Sequence, residues 1–418
     1  MPIPRERLSR PPRAHREGSS TAAFPSFWSA AITGPPLDDY TCRSSPALAC
    51  YTTWLGRQRD DPALISASQT LYIQGLQEVQ AAVNDPSTAL SDATLSACIG
   101  LIVYEALECP GRSYSAYHAH IDGCSALIRL RGVDAHTDGT GHDLFHGFRY
   151  IAVIKALQDH KGTYLLSPAW SRVPFSLHPK DIHDRLLDVL ATGASFLGEG
   201  DRLASTPPER ILPALLHLDD RCRELNALLE AIYAELEREH EGKAVYWAAE
   251  PTLGPLDDDY HTRTDDEEKQ SKLDIPLHFP SHEAARLLTL YWAQQTLLRM
   301  GRTEIRVALT AISQTVAANP LPIPPDLKQR LTSSLAHPTL PLLESARLVL
   351  RSRDYCCSSE SAILRFSVPL NITLDVLALK PEAHAAEIKV AKEVKKRISE
   401  RTLRITRWTG TLKYRVEI

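Results

Sequence analysis

The chain has 418 residues, room for one large or two ordinary domains, and its 43% hydrophobic and 23% charged content is that of an ordinary globular protein. A net charge of −4 and a pI near 6.5 exclude a chain-wide electrostatic surface for nucleic acid and leave only local patches. The longest apolar run, Ala97–Leu107 ("ACIGLIVYEAL"), is far too short to span a membrane and carries Glu105.

Residues 1–45 are rich in Pro, Ser and Arg and read as a disordered segment. The opening "MPIPRERLSRPPRAHREGSS" has no apolar stretch of signal-peptide type, and Glu6, Glu17 and its four prolines argue against a mitochondrial presequence. From residue 46 to 418 the apolar period is helical almost throughout, which predicts one helical domain. "SPALACYTTWLGRQ" and "PALISASQTLYIQGLQEVQAAV" both place apolar residues at i, i+3, i+4 and i+7. "SDATLSACIGLIVYEAL" opens on the capping residue Ser91 and is apolar nearly all round, the mark of a helix buried on every side. After the breaker Cys109-Pro110-Gly111, a helix over 114–131 carries Ile121, Cys124, Leu127 and Ile128 on one face. Arg129, Arg131 and then Gly132 make a C-terminal stop, so the two helices form an antiparallel hairpin.

Between 133 and 180 the signal weakens among prolines and glycines. Leu215, Leu218, Cys222, Leu225, Leu229, Ile232 and Leu236 then step by 3 and 4, as on a long bundle helix or, alternatively, an intermolecular coiled coil. Residues 250–274 hold nine acids against Arg263, Lys269 and Lys272 and read as a solvated acidic loop, with an acidic activation segment as the sharper alternative. Helices resume at "SHEAARLLTLYWAQQTLLRM", capped by Ser281, and continue through 338–379 with a kink expected at Pro369. A last amphipathic helix over 382–401 turns Ile388, Ala391, Val394 and Ile398 inward. No strand alternation is long enough for a substantial sheet, so the fold is all-α, a multi-helix bundle of stacked αα-hairpins.

Signals for chemistry are thin. His118 and Asp122-Gly123 spell the H-x-x-x-D-G of condensing acyltransferases, but they fall on a helix with no β-lobes around it. His142 and His146 in "HDLFH" resemble half a zinc-protease site, yet Asp143 is shorter than the required glutamate and no third ligand is evident; a partly exposed pair is expected. "DDDYH" (257–261) and "DDRCRE" (219–224) resemble the magnesium motif of helical terpene cyclases without its downstream partner. No G-x-S-x-G, P-loop, G-x-G-x-x-G or C-x-x-C occurs. Cys98, Cys124 and Cys222 fall on apolar helix faces, as reduced core thiols of an intracellular protein do. Neither an enzyme, nor a cofactor, nor a metal site is expected.

The ordered series from "SPALACYTTWL" through "IGLIVYEALE", with Tyr104 and Glu105, to "YHAHIDGCSALIRLRG" resembles the fungal-specific transcription-factor domain. His120, Gly123, Leu127, Arg131 and Gly132 occupy the positions of that family's H-x-x-G-x-x-x-L-x-x-x-R-G helix. "ARLLTLYWAQQTLLR" is similar to its later Tyr-Trp helix, and "AILRFSVPLNITLDVLAL" with "AKEVKKRISER" to its C-terminal pair, so the resemblance runs over about residues 45–405. It implies a helical regulatory domain that senses a small effector or binds other regulators or itself, in the nucleus, with no membrane association. The six-cysteine zinc cluster of such regulators has no counterpart here, since only Cys42 and Cys50 precede the bulk of the helical region. Direct DNA binding is therefore not expected of the chain; a helical metal-dependent enzyme and a non-catalytic scaffold are the alternatives. Two packing expectations follow. Glu105, on a buried helix, needs a partner, which His120 or Arg131 could supply. Gly123, mid-helix, should admit a close neighbour, because a helical glycine costs about 1 kcal/mol against alanine.

Overall fold

A computed structural model describes residues 44–108, 114–248, 273–318, 323–338, 341–358 and 360–401. Nearly all of the segment expected to be disordered, most of the acidic loop at 250–274, and the motif at 257–261 lie outside these residues. The single helical domain expected over 46–418 divides into two compact units, one reaching Asp181 and the other running from Ile182 to Lys396.

In the first unit α1 (Ser45–Gln58), α2 (Pro62–Asn84), α3 (Asp92–Glu108) and α4 (Tyr114–Arg131) follow the predicted limits closely. Local chemistry sets their ends. Asp61 accepts from the amides of Ala63 and Leu64 while Pro62 opens α2, and the Ser91 hydroxyl accepts from the Thr94 amide at 3.1 Å to cap α3. Ser44 makes no such cap on α1. Instead Glu78 of α2 accepts from the Ser45 amide (3.1 Å) and hydroxyl (2.6 Å), placing a carboxylate at the positive end of the helix. Pro46, at the start of α1, wedges between α2 and α3 where both carry glycine. A Cβ on Gly75 would lie 2.7 Å from the Pro46 ring, too close without a shift, and one on Gly100 would make a tight contact at 3.0 Å, so glycine suits this approach at both positions.

The weak region holds a further buried helix, α5 (Gly139–Gln158), followed by the short α6 (Pro168–Arg172). The buried Arg149 and His142 interrupt the apolar pattern of α5, and this is why periodicity alone passed over it. The Arg149 guanidinium lies over the Phe175 ring, 5.2 Å from its centre.

The second unit comprises α7 (Ile182–Leu203), α8 (Pro208–Glu239), α9 (His282–Ala318), α10 (Pro325–Ala336), α11 (Leu342–Arg351), the short α12 (Arg353–Cys356), α13 (Glu360–Leu377) and most of α14 (Ala385–Arg401). Helix α9, 37 residues long, is its spine and packs on α7, α8, α10, α11 and α13. All seven residues of the 3–4 series on α8 are buried, and α8 packs on α7, α9 and α10, so that stripe serves its own bundle. Helix α13 runs through Pro369, and Ile388, Ala391, Val394 and Ile398 of α14 are buried as expected. Strands β1 (Trp247–Ala248) and β2 (Leu277–His278) pair antiparallel, two residues each. The fold is all-α.

Candidate functional site

The polar residues picked out in the sequence fall on neighbouring helices of the first unit. Helix α2 buries only Ser68, Tyr72 and Gly75, at i, i+4 and i+7. The small residues on either side let Tyr72 lie flat on α3, its ring stacked on Tyr104 at 4.5 Å. The Tyr104 and Ser68 hydroxyls are 3.0 Å apart. Glu105, 2% exposed, accepts from the Tyr72 hydroxyl, whose oxygen lies 3.2 Å from His120 Nε2 on α4. Tyr72 has one proton to give, so beside an ionised Glu105 the relay is complete only when His120 carries its proton on Nε2 and donates to the Tyr72 oxygen. Three helices are thus tied together by two hydrogen bonds.

The direct partner expected for Glu105 is replaced by this relay: His120 reaches it through Tyr72. Arg131 instead pairs with Asp92. Antiparallel pairing explains the difference. The last residue of α4 comes opposite the first turn of α3, where cation and anion also suit the two helix dipoles, while Glu105 lies near the far end of α3. The expectation for Gly123 also fails. It is exposed, and a Cβ there would meet nothing within 4 Å, so no helix uses it for close approach. Leu127 is in the core, and Gly132 ends α4 with φ +80°, a conformation that favours glycine.

Burial draws both ends of the relay toward their uncharged forms. It raises the Glu105 carboxyl above the usual carboxylate range, the Tyr72 hydrogen bond offsetting part of the rise, and it lowers His120. Tyr104 is pushed up to about 12 by burial, and Tyr72 is raised by burial and then by its bond to Glu105. Glu105 Oε2 has no hydrogen-bond partner in its buried position. One turn on, the buried Glu108 accepts from Thr53 and from Arg57 Nε at 2.7 Å, joining α3 to α1.

The catalytic look-alikes resolve into packing. His118 is half-buried on α4 with its ring edge-on to Tyr117, and Asp122 pairs with Lys155 at 3.2 Å. The pair expected to be partly exposed at 142 and 146 is half wrong. His146 is half-buried, but His142 is buried, its Nδ1 3.1 Å from the His136 carbonyl and its ring 4.6 Å from that of His178. His136 comes from a short 3-10 turn just before α5 and His178 from the segment after Phe175, and neither left a periodic trace in the sequence. In the second unit Asp219, fully buried, is engaged by Arg302 Nε at 3.1 Å, Arg223 Nε at 3.3 Å and the Ser334 hydroxyl at 2.8 Å. Asp220 pairs with Arg223 and with Arg330 at 2.8 Å. These carboxylates serve to join α8, α9 and α10. The cysteines described are free thiols; burial pushes Cys98 up to about 11 and Cys222 up to about 12, which keeps them protonated at neutral pH.

The geometry therefore defines a helical packing domain whose buried polar groups chiefly hold helices to one another. Residues 45–190 match the family described as the fungal specific transcription factor domain. The match opens with α1, takes in helices α1 to α6 of the first unit and ends within α7; the later helices of the wider resemblance lie beyond it. An uncharacterized protein of Emericella nidulans is 29% identical over 160 residues, covering 36% of this chain. The aligned stretch is 34% of that relative, so the chain spans about a third of its length. No solved structure matches. Among the described residues, no helix is long and apolar enough to cross a membrane.

Proposed function

We propose that this protein is a nuclear transcription regulator whose helical body senses an effector or binds partner regulators, and that it catalyses no reaction. The observation that supports the reading is the family match over 45–190, which begins with the first helix and ends just past Asp181, where the chain passes from the first unit to the second. The side chains support it as well. Glu105, Glu108, Asp219 and Asp220 are engaged by tyrosine, threonine, serine or arginine of adjoining helices, an arrangement that stabilises a scaffold and leaves those carboxylates little freedom for chemistry. Asp219, the carboxylate on which a magnesium-dependent alternative would draw, already faces two guanidinium groups.

The test is chromatin immunoprecipitation of the tagged full chain from its native host, with transcript levels compared after deletion of the gene. Enrichment at discrete promoters, with the nearby transcripts changed in the deletion strain, is the expected result. A uniform background across the genome with unchanged transcripts would overturn the reading.

A further inference from the structure

Helices α7, α8 and α9 of the second unit enclose a cavity of about 50 Å³. Its walls are hydrocarbon apart from the Cys222 thiol and Glu304, and three of the lining residues are glycines: Gly193 and Gly200 of α7 and Gly301 of α9. Helix-interior glycine is unfavourable against alanine and needs a reason. In the first unit that reason is visible, because Pro46 occupies the space where the Cβ of Gly75 or Gly100 would be. Here it is absent: a Cβ on Gly193 or Gly301 would meet nothing within 4 Å, although Gly193 is buried. Alanine would fill space and favour the helix at both positions. The glycines keep open a volume that no protein atom uses.

The cavity is also held open. The Asp219–Arg302 pair, at 3.1 Å, joins α8 to α9 immediately beside the lining residues Leu218 and Gly301. Phe196, another wall, is clamped from outside by the Arg221 guanidinium, 4.1 Å from its ring centre and itself fixed by Glu199 at 2.6 Å. Collapse of the helices onto the space would have to break these contacts. Gly193, Cys222 and Ile305 are buried and form the closed end, whereas Gly200, Gly301 and Glu304 are half-exposed and mark the mouth.

We infer that this cavity is a binding site for a small uncharged aliphatic molecule whose hydrocarbon end enters between Gly193 and Gly301. The inference deepens the effector reading and rests on it for its biological meaning. An engineered apolar cavity of about 150 Å³ admits benzene or xenon, so a third of that volume takes the end of a short branched chain while the rest of the ligand reaches the mouth. Charge selects the class. A ligand carboxylate at the mouth would meet Glu304, which Lys380 at 3.5 Å only partly offsets, whereas an alcohol or ketone meets no repulsion.

The full chain under xenon pressure, followed by the 129Xe chemical shift, tests this without any assay of transcription, so its outcome is separate from that of the regulatory reading. Wild type gives a saturable shift. Gly193→Val and Gly301→Val, each checked for retained helicity by circular dichroism, abolish it, while Gly123→Val on the exposed face of α4 leaves it unchanged. Isobutanol and 2-butanone displace xenon, and isobutyrate does not. A xenon shift that is merely linear with pressure, or that survives in both folded cavity variants, overturns the site. Equal displacement by isobutyrate overturns the ligand class.

Discussion

Helical glycines do opposite work in the two units. In the first, Pro46 sits against Gly75 and Gly100, and α1 is drawn onto α2 and α3 through positions where a side chain would crowd the proline. In the second, Gly193 and Gly301 lie on helices kept apart by other contacts, and the missing side chains become empty space. The polar groups follow the same division. The first unit links three helices through a short relay from His120 to Tyr72 to Glu105, and the second fixes its spacing with buried ion pairs around Asp219. One unit is tight; the other is propped.

The largest effect should come from removing the prop. Asp219→Ala removes the buried carboxylate that holds Arg302, Arg223 and the Ser334 hydroxyl together, leaving Arg302 only its bond to the Pro338 carbonyl, and should lower the unfolding free energy by about 3 kcal/mol, read from the urea midpoint. A loss below about 1 kcal/mol, the range of a surface pair, would mean that the spacing of α8 and α9 is set elsewhere.

A smaller, pH-dependent effect belongs to the relay. Burial raises Glu105 above its ordinary 4.5, so the folded protein binds that proton more tightly than the unfolded chain. Stability from this group is fully present below pH 4.5 and is lost as pH rises through the higher folded value. Glu105→Gln should therefore gain melting temperature relative to wild type as pH is raised from 4 to 8, with the advantage smallest at the acid end. An advantage that instead shrinks toward alkaline pH would show that hydrogen bonding, not burial, governs this carboxyl.

Much of this architecture could be read from the chain before its structure. Helices α1 to α4 announce themselves by period, caps and the Gly132 stop, and the 3–4 series on α8 named its own buried face. What escaped did so for physical reasons. Arg149 and His142 broke the apolar rhythm of α5 because both are buried polar groups, satisfied by rings and carbonyls supplied from other segments. Tyr72, the partner of Glu105, comes from a third helix outside the α3–α4 hairpin, so the pattern of that hairpin does not point to it. The i, i+4, i+7 run of Ser68, Tyr72 and Gly75 was its only trace: a strip of small residues around one large polar ring. Gly123 shows the limit of residue type alone, since a glycine that seemed made for contact faces solvent while Gly75 and Gly193, alike in sequence, meet a proline ring and a void.

The most direct test of the tight and propped units is the change in melting temperature for Gly75→Ala and Gly193→Ala, measured side by side on the full chain. Overpacking against Pro46 should outweigh the gain in helix propensity and lower the melting temperature for the first, whereas the second should rise by roughly 2–4 °C as alanine enters unused space. Changes of the same sign at both positions would contradict the account.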